Sequence, residues 1–78
     1  MARKKVTENE LVAIINGELA KQEECAGCRV NGIVALREPD DEGCNWSEPY
    51  ISCSGVPATA CRPVAAQVVA RTRTNFNL

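Results

Sequence analysis

Cys28-Arg29-Val30-Asn31-Gly32-Ile33-Val34-Ala35-Leu36-Arg37 decides the fold of this chain. Val30, Val34 and Leu36 recur at a period of two, so the stretch reads as a strand with those three side chains on one face. Arg29, Asn31, Ile33, Ala35 and Arg37 fall on the other. Asn31-Gly32 is a hairpin signal, but a turn there would leave about three residues before it, short for a strand. The turn is instead expected at Glu38-Pro39-Asp40-Asp41-Glu42-Gly43. Trp46 to Cys53 then returns as a second strand, with Pro49 marking an edge or a break. If Arg37 faces about Asn45, paired residue numbers add to about 82, and Cys28 lies opposite position 54.

On the N-terminal side, Thr7 and Glu10 form a capping box, with Val6 and Leu11 placed for a hydrophobic staple. Leu11, Ile14, Ile15 and Leu19 form an apolar stripe at helical spacing. This helix is expected to fray near Glu24 and to stop by Gly27. Gly17 costs it about 1 kcal/mol relative to Ala and would mark a close approach of another element. On the C-terminal side, Ser54-Gly55-Val56-Pro57 is a break. A second helix follows from Thr59 or Pro63 to about Asn75, with Pro63 in its first turn. Val64, Ala65, Val68, Val69 and Thr72 form its stripe. The fold class is α+β: one α-β-β-α domain over residues 6–78, preceded by a flexible basic tail over 1–5. The expected core packs Leu11, Ile15 and Leu19 with Val64 and Val68 over the Val30/Val34/Leu36 face.

The chain has 78 residues, and of its hydrophobic ones ten are Ala and five are Cys. Such a core is thin, and domains this small often need a staple. A net charge of −1 argues against a nucleic-acid partner, which calls for a basic face. No apolar run approaches a membrane span. Glu8 and Glu10 interrupt the region after the basic start, so it does not read as a secretory signal. The expectation is a cytoplasmic bacterial protein with an unidentified, possible protein partner. No His is present, which removes Ser/His and Cys/His nucleophile pairs and His-containing metal sites. No catalytic residue stands out, and the chain is read as non-enzymatic.

Chemistry must therefore lie in Cys25, Cys28, Cys44, Cys53 and Cys61. Cys25-Ala-Gly-Cys28 can supply two zinc ligands from one turn. The hairpin register places Cys28 near Cys53, with Cys25 and Cys61 at the same end and Cys44 at the other. Cys25, Cys28, Cys53 and Cys61 are thus the candidate ligands of one structural zinc. Two other readings stay open: cysteines that only fill space, and a disulfide or thiol-redox role led by Cys61 with Cys25 or Cys28. Cys61 sits at a helix N-terminus, where the dipole and Arg62 favour a thiolate. Trp46 and Tyr50 could form an exposed recognition patch or anchor the core, and anchoring is preferred because large side chains are few. Asp40-Asp41-Glu42 lacks the spacing of a calcium loop.

Gly43-Cys44-Asn45-Trp46-Ser47, with Cys53-Ser54-Gly55-Val56-Pro57, resembles a group of small bacterial proteins of unknown function. That resemblance implies no activity, so three function classes remain. They are an accessory or interaction module held by zinc, a small thiol-redox protein, and a nucleic-acid accessory protein.

Overall fold

The computed structural model describes residues 3–78. Met1 and Ala2, the start of the expected flexible tail, lie outside the described residues. Helix α1 spans Glu8–Leu19. Thr7 begins it as expected: the Glu10 amide donates to Thr7 Oγ1 and the Thr7 amide to Glu10 Oε1, each at 3.1 Å. Leu11, Ile15 and Leu19 are fully buried. The helix stops at Leu19, short of the expected Glu24. Tightened bonds from Lys21 N to Glu18 O and from Gln22 N to Leu19 O close it. A 3₁₀ turn, Glu23–Cys25, then carries the chain sideways. Gly17 is exposed, with nothing within 4 Å of where its Cβ would stand, so no element approaches it closely.

The hairpin forms in two pieces. Strand β2 (Cys28–Val30) pairs antiparallel with β5 (Ile51–Cys53), and β3 (Val34–Ala35) with β4 (Trp46–Ser47). Every pair in both ladders adds to 81, one less than the sequence reading set. Between the ladders, Asn31-Gly32-Ile33 faces Glu48-Pro49-Tyr50 without strand pairing. Pro49 has no amide to donate there. The inward face changes across this break. Cys28 and Val30 point into the core below it, while above it Trp46 is fully buried and Val34 is 43% exposed. The expected Val30/Val34/Leu36 face is therefore corrected: Val30 belongs to the core, Val34 does not, and Leu36 is half-buried.

Helix α2 spans Ala58–Asn75 and buries Cys61, Ala65, Val68, Val69 and Thr72. Pro63 lies in its second turn, not its first, and removes one rung of the helical ladder. Val64 is only half-buried at the edge of the core. Residues 4–5 of the expected tail are paired: β1 (Lys4–Lys5) runs parallel to β6 (Phe76–Asn77). The fold is thus two helices on a broken antiparallel hairpin, with a small parallel clasp tying the chain ends together.

Candidate functional site

Cysteine geometry follows from the register. The Ser54 amide donates to Gly27 O, so Cys28 and Cys53 occupy the next, non-hydrogen-bonded position, where opposed Cα atoms come closest. Their Cα atoms are 4.0 Å apart and their sulfurs form a disulfide. Gly27 allows this approach. Its φ is +78°, and a Cβ there would stand 2.1 Å from the Ser54 carbonyl oxygen. A register summing to 82 would have set Cys28 and Cys53 on opposite faces, because neighbouring strand residues alternate.

The second pair joins two other elements. Cys25 ends the 3₁₀ turn, Cys61 is the fourth residue of α2, and a disulfide links them with a Cα separation of 4.6 Å. Both are buried, at 1% and 0% exposure. Cys28 is 8% exposed, and Cys53 is half-buried. The sulfurs of Cys28, Cys53 and Cys61 all lie within 4.8 Å of one another. Four of the five cysteines therefore converge at the open end of the hairpin, joined as two adjacent disulfides. The Cys25-x-x-Cys28 pair is split between them. A shallow groove lined by Gly27, Arg29, Ser52, Cys53 and Ser54 runs along this end of the β2–β5 ladder. Arg29 and the Gly27–Ser54 contact were not singled out from sequence. Only their adjacency to Cys28 and Cys53 pointed to them.

Cys61, the redox candidate read from its place near the helix N-terminus, is fully buried and bonded to Cys25, and Cys53 is the more exposed residue of the four. Cys44 stands apart as a free, buried thiol and donates to Trp46 O at 3.4 Å.

The closed end of the hairpin is a polar clasp. Asp40 accepts the amides of Glu42 and Cys44 at 2.9 and 3.0 Å and pairs with Arg73. Its carboxyl is held below the ordinary aspartate range, chiefly by the Cys44 amide. Asn45 exchanges two bonds with the backbone of Leu78, and Trp46 Nε1 donates to Phe76 O at 3.0 Å. Among the described residues no buried side-chain nitrogen or oxygen lacks a partner. Trp46 and Tyr50 divide: Trp46 anchors the core, and Tyr50 is 91% exposed.

Family models, curated proteins and solved structures yield no match to this chain. No helix among the described residues is long and apolar enough to cross a membrane. The chain is a small cysteine-rich α+β protein with two disulfides and a cluster of cysteines.

Proposed function

We propose that this protein is a small thiol–disulfide module whose fold reports the redox state of its surroundings. One observation carries the reading: two disulfides lie side by side, with three of their sulfurs mutually within 4.8 Å. An inert pair of staples needs no such proximity. In a reducing cytoplasm, the compartment this reading assumes, disulfides are characteristically transient and redox-sensing. Oxidised, the cluster pins the 3₁₀ turn to α2 and β2 to β5. Reduced, those connections depend on the thin core alone.

The same four sulfurs support a second state. Cys28, Cys53 and Cys61 lie close enough to share one ion, and Cys25, bonded to Cys61, is the fourth thiolate that a closed structural zinc site would take once the cluster is reduced. Zinc and the two disulfides are mutually exclusive, because each uses the same sulfurs. The test is to equilibrate the protein in thiol buffers of graded potential, alkylate and weigh it, and assay zinc in each fraction. The expected result is a four-electron reduction of both disulfides within the physiological range, with zinc bound only by the reduced form. A protein that keeps both disulfides throughout that range would overturn the redox reading. Reduced protein with no affinity for zinc would remove the second state.

A further inference from the structure

We infer that the two disulfides form a relay, in which attack on the exposed one transfers reduction to the buried one through a Cys28–Cys61 bond. The inference rests on the thiol–disulfide reading above and adds its route. Thiol–disulfide exchange needs the attacking sulfur, the attacked sulfur and the leaving sulfur near a line. Access decides the first step. Cys53 is half-buried, whereas Cys25 and Cys61 are fully enclosed, so the Cys28–Cys53 bond is the one nearer the surface.

The chemistry balances with a small external thiol as reductant. Its thiolate attacks Cys53 Sγ, the Cys28–Cys53 bond breaks, and the electron pair leaves on Cys28 as a thiolate. Cys28 now lies within 4.8 Å of Cys61 Sγ. Cys25 belongs to no such trio, so Cys61 is the near sulfur of the buried disulfide and Cys25 the far one. Cys28 attacks Cys61, the Cys25–Cys61 bond breaks, and Cys25 leaves as a thiolate that takes up a proton. One external thiol has then opened both original bonds, leaving a mixed disulfide at Cys53 and a new Cys28–Cys61 bond. Three further thiols complete the reduction. The first resolves Cys53, and two reduce Cys28–Cys61, giving four protein thiols and two external disulfides. The buried Cys25–Cys61 bond, closed to a direct reductant, is reached from inside.

Two experiments test the route. Wild-type protein is treated with limiting glutathione, quenched with acid, alkylated and mapped by peptide mass spectrometry. A Cys28–Cys61 bond with free Cys25 is expected as the first rearranged species. Loss of Cys25–Cys61 with no such species would overturn the relay while leaving the redox reading intact. Resistance of both bonds to the thiol would overturn the reading itself. The second experiment replaces both outer sulfurs, Cys28→Ser with Cys53→Ser, and follows reduction of Cys25–Cys61. The relay predicts a rate at least tenfold slower than in wild type. A merely structural outer disulfide predicts the opposite, since its loss loosens the domain and speeds access. A variant that fails to fold would also reduce fast, so the mapping of the wild-type intermediate decides in that case.

Discussion

Gly27 is the position where one atom settles the most. A methyl group there meets the Ser54 carbonyl, and its φ of +78° disfavours any L side chain. Gly27→Ala should cost about 2–4 kcal/mol from strain and displacement together. Urea unfolding of the oxidised protein measures it, and a cost near zero would mean that the hairpin end can shift freely. Asp40 carries a different kind of test. Its carboxyl is held below the usual range, first by the Cys44 amide and then by the Glu42 amide and Arg73, against partial burial. A depressed folded-state pKa contributes stability that is present above the ordinary aspartate value. That contribution is lost as pH falls through the folded value. Asp40→Asn should therefore lower stability at neutral pH and narrow its gap to wild type as pH falls below about 4. Thermal melts across pH 2–7 read this, and a gap that widens in acid would contradict it.

At the scale of elements, α1 was legible because its signals are local. Thr7 caps one continuous helix that holds Glu10, Leu11, Ile15 and Leu19, and each signal needs only spacing to be read. The strands were less so. Their existence and turn followed from alternation and from the polar run ending at Gly43, but the face pattern assumed an unbroken ladder. The Asn31–Ile33 and Glu48–Tyr50 break inverts the inward side, and nothing in alternation alone announces that Val34 turns outward. A one-residue error in register was also invisible, since Leu36 opposite Asn45 and Arg37 opposite Asn45 suit the same turn residues. Asn16 escaped notice altogether. Its side chain exchanges two hydrogen bonds with the Val30 backbone, at 3.0 and 2.8 Å, acting as a neighbouring strand would. The packing predicts a contrast. Ile15→Ala, fully buried, should cost about 2–5 kcal/mol, whereas Val34→Ala should stay within about 0.5 kcal/mol as a surface change. Equal effects in paired denaturant curves would refute the assignment of the two faces.

For the molecule as a whole, the sequence brought Cys25, Cys28, Cys53 and Cys61 to one end and left Cys44 at the other. The sequence reading assigned them to zinc and ranked a disulfide last, because the choice depends on sulfur separations set by register and helix docking, which spacing does not show. The structure bonds them in pairs, and the consequence is energetic. The bridges span sequence separations of 36 and 25 residues. Closing loops of that length stabilises a domain by about 3–4 kcal/mol each in the chain-entropy account. Natural domains hold only about 5–15 kcal/mol in all, and among the described residues this one has twelve buried hydrophobic residues, four of them cysteines. Reduction of both bonds should then remove most of the stability. In the presence of a chelator the reduced chain is expected to lose cooperative melting, with the helical circular dichroism signal falling at 37 °C. Addition of zinc to the reduced chain should restore a sharp transition, since metal binding supplies folding free energy directly. Cys44→Ser should leave that restoration intact, while Cys61→Ser should abolish it. A reduced, metal-free protein that still melts cooperatively above 50 °C would show that the core suffices alone. The cysteine cluster would then have no hold on the fold through which to report redox state.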